Sequence, residues 1–284
     1  MENTWQEAIS ARTSRRSYVS GELPSNTLEK VSGIIESVKG APFGTEADFQ
    51  LIRKYSEENS RLKLGTYGFI SGARYFIAGQ VEPGVKAFID YGYLLEKIIL
   101  TLTINNLGTC WLGGTFDRGE FAIAVNLKDG YIIPAITPVG IPTENRSLGD
   151  RLIRFGAGSH NRKAWESLFF HEKPGKALSK NEAGQGLSAV LEMVRIAPSA
   201  SNLQPWRFLK KGNSFDIYLQ RKPGYKSRFG GVDLQMIDIG IAVCHFDLVC
   251  RELGIETLWE ISGTHEEIDG WEYTISVKFH LKSN

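Results

Sequence analysis

Landmarks that recur at a nearly constant spacing constrain this chain more than any single motif does. Adding 156 to Val31, Ile34, Ile35 and Val38 gives Leu187, Val190, Leu191 and Val194, so one apolar face at helical spacing occurs twice. The same step carries Ala41-Pro42 to Ala197-Pro198, where proline ends both helical patterns. A step of 148 carries Asp90-x-Gly92 to Asp238-x-Gly240 and Trp111 to Trp259. Amphipathic helices resemble one another, so the apolar face alone is weak; the Ala-Pro, Asp-x-Gly and Trp landmarks in one order point to two related halves. Two unrelated halves of mixed α and β structure are the alternative.

The halves differ in what they keep. Residues Ala197 to Phe208 read APSASNLQPWRF, whereas the first half holds only a degraded counterpart, GAPFGTEADFQLI, from Gly40 to Ile52. Conversely, Arg12-Thr13-Ser14-Arg15-Arg16-Ser17-Tyr18 has no intact partner in the second half. Glycines and a serine at Gly156-Ala157-Gly158-Ser159 make the best joint, which gives halves of 1–157 and 158–284.

A chain of 284 residues can bury a full core as one large domain or two ordinary ones. Its 33 basic and 32 acidic side chains nearly cancel, so no overall field favours nucleic acid or an anionic membrane. No stretch approaches the ~20 apolar residues of a membrane span, and the first residues lack a secretory signal, so a cytoplasmic location is expected. The three cysteines, Cys110, Cys244 and Cys250, form no C-x-x-C pair, and no metal site is indicated. His245 beside Cys244 falls in an apolar helical pattern and reads as core packing.

Thr4 and Glu7 have capping-box spacing, which predicts a helix from Trp5 towards Arg12 with Arg12 to Tyr18 as its exit. Further helices are expected at Thr27–Val38, Phe88–Asn106, up to Ile196, and Asp238–Leu253. Strands are expected at Tyr75–Gly79, Tyr131–Ile141, Trp206–Lys210, Phe215–Gln220 and Glu272–Leu281. The order is α+β rather than a regular βαβ winding, and neither G-x-G-x-x-G nor a Walker loop is present.

Two segments could carry chemistry. Arg12, Ser14 and Arg16 lie on one side of an extended chain, and arginine forks with hydroxyls make an anion receptor; a solvated basic helix end is the alternative. Ser199, Ser201, Asn202 and Gln204, stiffened by Pro198 and Pro205, could match the edge of a flat heteroaromatic ring; an ordinary Asx-type turn is the alternative.

R-x-S-x-R-x-Y near the N-terminus, APSASNLQPWRF, the Asp-x-Gly helix and Leu107-Gly108-Thr109-Cys110-Trp111-Leu112-Gly113-Gly114 together resemble the FMN-dependent nitroreductase family. The closest likeness is to the subgroup in which one chain imitates the usual dimer. The resemblance implies an α+β fold of two pseudo-symmetric halves, each a mostly antiparallel sheet flanked by helices. It implies FMN between the halves: Arg12, Thr13, Ser14 and Arg16 on the phosphate, Trp111, Leu112, Gly113 and Gly114 facing the ring, and Pro198, Ser199, Ala200 and Asn202 lining it. Arg146 is the first choice for a further basic residue, with Arg162 or Lys163 in competition.

On the ungapped step, Leu168, Phe170 and Glu172 stand where Arg12, Ser14 and Arg16 would be, and Glu46 replaces Asn202, so one FMN per chain is expected. FMN would carry the chemistry, without a catalytic side chain or a metal. NADH or NADPH would be the donor and a nitroaromatic or quinone the small-molecule acceptor, in a monomer acting as a pseudo-dimer. Trp206, Tyr225 or Phe229 could guide acceptors, and the basic loop Arg221–Arg228 could attract a nicotinamide phosphate; packing and a solvated loop are the alternatives. A flavin-binding protein without turnover, a flavin enzyme with another substrate, and a structural protein without ligand are the rival functions.

Overall fold

The structure, a computed structural model, describes residues 4–54, 64–143, 161–223 and 231–280. The chain enters through α1 (Trp5–Ala11), whose capping box is present as expected: Glu7 N donates to Thr4 Oγ1 at 3.1 Å and Thr4 N to Glu7 Oε2 at 3.0 Å. After α2 (Ser25–Ser37), strands β1 (Asp48–Arg53) and β2 (Tyr75–Gln80) lead to the long helix α3 (Val85–Ile104). Then follow β3 (Gly108–Thr109), the short α4 (Arg118–Ala124) and β4 (Ile136–Gly140). The remaining elements are β5 (Phe169–His171), α5 (Lys180–Ala183), α6 (Gln185–Arg195), β6 (Trp206–Lys211), β7 (Ser214–Leu219), α7 (Leu234–Glu252), β8 (Glu256–Glu260) and β9 (Glu272–His280).

Two sheets result. The first is antiparallel in the order β1-β2-β4-β3, and the second runs β5-β6-β7-β9-β8, antiparallel except for the parallel β5–β6 pair. Without β5 the two orders follow the same path, and each long helix enters between the second and third strands of its set by chain order.

Those helices, α3 and α7, form the centre. Both are apolar nearly all round, so burial on all sides is the favourable outcome, and α7 is buried from Leu234 to Cys250. Glycine lets them touch. A Cβ on Gly92 would lie 2.2 Å from the carbonyl oxygen of Ile237, and one on Gly240 would lie 1.9 Å from that of Ile89. The contact is reciprocal, because each glycine meets the residue three positions before the other. One continuous apolar core takes in Ile77, Leu95 and Val139 together with Phe208, Val243 and Ile275, so both sheets share it.

Several expectations shift. The last long helix begins at Leu234, four residues before the expected Asp238, because Asp233 caps it by accepting from Met236 N. The strand expected over Tyr131–Ile141 is confined to Ile136–Gly140, since Pro134 offers no N–H to a ladder. The joint at Gly156–Ser159, and with it the 157/158 boundary, lies outside the described residues. Among the described residues no helix is long and apolar enough to cross a membrane.

Candidate functional site

Beyond α1 the chain is extended, as the period-two reading of Arg12, Ser14 and Arg16 requires. Ser14 bridges Thr109 in parallel, Arg15 N donates to Thr109 O at 2.8 Å, and Ser71 N donates to Arg16 O at 2.8 Å. The segment therefore adds an edge beside β3, which puts the arginine motif next to Trp111. Gly108 is needed there: a Cβ would meet Pro142 and Arg15 side-chain atoms at 3.1–3.2 Å.

Behind this edge lies a buried carboxylate. Glu96 on α3 is fully buried, accepts Trp111 Nε1–H at 2.6 Å, faces Arg12 Nε at 3.8 Å and meets His245 Nε2 at 2.9 Å. His245, also fully buried, places Nδ1 2.9 Å from Met193 O. Sequence reasoning missed this cluster; its one local signal is a charged residue, Glu96, inside a helix that is apolar nearly all round. Cys244 is core packing as expected, and His245 is buried but hydrogen-bonded. No metal-holding group of His, Cys, Asp and Glu occurs among the described residues.

The loop after α6 is held from beneath. Asp238 accepts Ala200 N–H at 2.8 Å, and Gln204 N donates to Ser199 Oγ at 2.9 Å. Asp90 does the equivalent work for the first-half loop, accepting from Phe43 N at 3.0 Å and Thr45 N at 2.8 Å. Ser201, Asn202 and Gln204 have φ of 51°, 53° and 45°, a left-handed backbone that costs non-glycine residues of order 1 kcal/mol each and persists only where surroundings enforce it.

Arg162 is bonded to the polar loop and lies within electrostatic reach of Arg12. Its Nη1 donates to Asn202 Oδ1, while Asn202 Nδ2 donates to Asn161 O at 2.8 Å. Burial first, then the nearby charges of Arg12 and Arg195, lower the Arg162 pKa to about 10 against the pull of Glu96. Arg195 is itself paired with Glu192. Lys163, held at Gln204 Oε1 through its backbone N–H, is lowered to about 8 by burial and then by Arg207. The site thus gathers the guanidinium groups of Arg12 and Arg162, with Glu96 behind Arg12 on its Nε side, and such a group of donors suits an anion.

Placement of the other expected residues is mixed. Thr13 lies in the arginine segment with a buried Oγ1 that bonds nothing. Leu112 points into the core, and its N–H and C=O pair with Ile136, so Trp111, Gly113 and the exposed Gly114 form the outer surface of their segment. Gly113 abuts Leu234 at the start of α7: a Cβ would lie 2.8 Å from that side chain. Pro198 and Ser199 are half-buried. Arg146, Tyr225, Phe229 and most of the Arg221–Arg228 loop lie outside the described residues. Arg221 itself is committed to Asp233 and Glu272, and Trp206 is core.

One expectation is overturned. Leu168, Phe170 and Glu172 do not occupy positions comparable with Arg12, Ser14 and Arg16. The arginine segment runs beside β3, the last strand of its sheet order, whereas Phe169–His171 is a strand beside β6 at the opposite end of its own.

Two sheets around a pair of closely touching helices, with an extended arginine segment beside β3 and a polar loop braced by α7, make a nitroreductase-like fold. Residues 4–250 match the family model described as "Putative TM nitroreductase", and the chain belongs to that nitroreductase family. A "putative nitroreductase" from Thermotoga maritima is similar over 98% of this chain and 94% of its own, with 20% identity and a TM-score of 0.62. A nitroreductase with bound FMN from Desulfitobacterium hafniense matches 51% of this chain and 93% of its own at 16% identity and a TM-score of 0.40. No curated protein matches in sequence.

Proposed function

We propose that this protein is an FMN-dependent oxidoreductase passing electrons from NADH or NADPH to a small acceptor such as a nitroaromatic or quinone. A single cofactor site would lie between an N-terminal half, 1–157, and a C-terminal half, 158–284. The observation that carries this reading is Arg162, bonded to Asn202 of the polar loop and near enough to Arg12 for the two charges to act on each other. Family membership supports the cofactor.

The residues present fit FMN. Besides the guanidinium groups, which suit a phosphate, buried polar atoms stand without hydrogen-bond partners at Thr13 Oγ1 and at both amide atoms of Gln235, one helical turn before Asp238. An unmet buried polar atom costs about 1–3 kcal/mol, and a polar ligand relieves that cost. Arg12, Thr13, Ser14, Arg16 and Arg162 would hold the phosphate. Trp111, Gly113 and Gly114 would face the ring system, with Pro198, Ser199, Ala200 and Asn202 lining its other side. Arg162 takes over from Arg146 as the basic residue to test, because its guanidinium bonds Asn202 and lies close enough to Arg12 to feel its charge.

FMN, when bound, would supply two-electron redox chemistry between a nicotinamide donor and the acceptor. The chain supplies charge, placement and shelter. The paired-half reading is supported by the shared strand order, by the reciprocal Gly92 and Gly240 contacts, and by Asp90 and Asp238 each bracing a loop. One site per chain is supported by sequence, since no second R-x-S-x-R follows Tyr18.

The test is anaerobic stopped-flow on the purified protein. Yellow protein whose flavin bleaches rapidly with NADH or NADPH is expected. Bound flavin that only dithionite reduces would leave a binding protein without turnover, and protein that takes up no flavin would refute the reading.

A further inference from the structure

Glu96 has three partners, and they come from three parts of the chain. Trp111 Nε1 donates to Oε2 at 2.6 Å, Arg12 Nε lies 3.8 Å from Oε1, and His245 Nε2 lies 2.9 Å from Oε1. Proton counting fixes the state of the pair. Met193 O can only accept, so His245 Nδ1 carries a hydrogen, and one more proton must lie between Nε2 and Oε1.

Arginine has five N–H donors in a fixed fork. Glu96 engages Arg12 from the Nε side, and among the described residues the terminal nitrogens have no hydrogen-bond partner. The free edge of the fork is thereby set by the buried carboxylate behind it. The Trp111 ring is set by the same group.

We propose that Glu96 is a positioning residue for the cofactor: it orients Arg12 towards a phosphate monoester and Trp111 towards the ring-facing segment. Through His245 it ties both to α7 and α6 of the other half. The proposal rests on the FMN reading.

Glu96→Gln isolates the charge. The glutamine oxygen can still accept from Trp111, and its amide can donate to a neutral His245, so the hydrogen bonds are kept while the carboxylate facing Arg12 is lost. Titration with FMN and with riboflavin, which lacks the phosphate, separates positioning from folding. Wild type should prefer FMN, and Glu96→Gln should reduce FMN affinity about tenfold while riboflavin affinity stays within about twofold. In an Arg12→Ala background, Glu96→Gln should cause no further loss, because the two residues act on one contact.

Equal losses for both flavins, additive effects, or wild-type FMN affinity in Glu96→Gln would overturn the proposal. If Glu96→Gln does not fold, Glu96→Asp, which keeps the charge but withdraws it, should lower the FMN preference part of the way; an unchanged preference there would also overturn it. A wild type that binds FMN and riboflavin equally would defeat the phosphate assignment, and one that binds neither would defeat the FMN reading itself; each takes this proposal with it.

Discussion

At the scale of the residue, the account turns on a few charged groups placed where burial is expensive. A charge-assisted hydrogen bond contributes about 1.5–3 kcal/mol, so Arg12→Ala should weaken FMN binding ten- to a hundredfold in a fluorescence titration; unchanged affinity would remove Arg12 from the phosphate site. Asp238 gives a pH signature. Burial raises its carboxyl well above the usual carboxylate range, the Ala200 N–H opposes this, and Asp233 adds to it. The folded chain therefore keeps a proton that the unfolded chain releases near pH 4, so this stability is whole below about pH 4 and is lost as pH rises through the folded-state value. Asp238→Asn can accept the same Ala200 N–H without the charge. Urea unfolding between about pH 5 and pH 9 should show a flatter decline in the variant than in wild type; parallel declines would contradict the assignment.

Residue-scale legibility was uneven for a physical reason. The period-two placement of Arg12, Ser14 and Arg16 follows from local backbone geometry and could be read directly. The partners of Glu96 are separated from it by up to about 150 positions, so nothing local signals them; Glu96 and His245 each looked like one polar residue in an apolar helix. Arg162 was legible only as a competitor to Arg146, because its role depends on the fold bringing residue 202 beside it.

Among the elements, close approach of α3 and α7 depends on two glycines, and a third glycine provides the opposite case. Gly240→Ala puts a methyl group against a backbone oxygen that cannot withdraw, so a loss of about 3 kcal/mol or more in urea unfolding is expected. Gly33 lies exposed within α2 with nothing within 4 Å of an added Cβ, so Gly33→Ala should stabilise by about 0.5–1 kcal/mol. Effects of the same sign in both variants would contradict the close approach described. The long helices and the strands at Tyr75, Trp206, Phe215 and Glu272 were readable because periodicity and punctuation agree. The strand at Asp48–Arg53 was hidden within a loop-like segment by its mixed burial, and β8, with one face exposed, carried no clear apolar run. The parallel β5 was hidden by brevity: three residues give no pattern.

For the whole molecule, one apolar core shared by both sheets makes a single cooperative unit, to which the proposed FMN site would be coupled. FMN that binds only the folded chain should stabilise it by about 2.7 kcal/mol when present at a hundred times its Kd. Most directly decisive is a calorimetric titration with FMN of wild type, Arg12→Ala and Asn202→Ala, one substitution on each side of the site. The account predicts one equivalent of FMN per chain in wild type and at least tenfold weaker binding in both variants. Two equivalents per chain, or a loss confined to one variant, would contradict a site built by the two halves together.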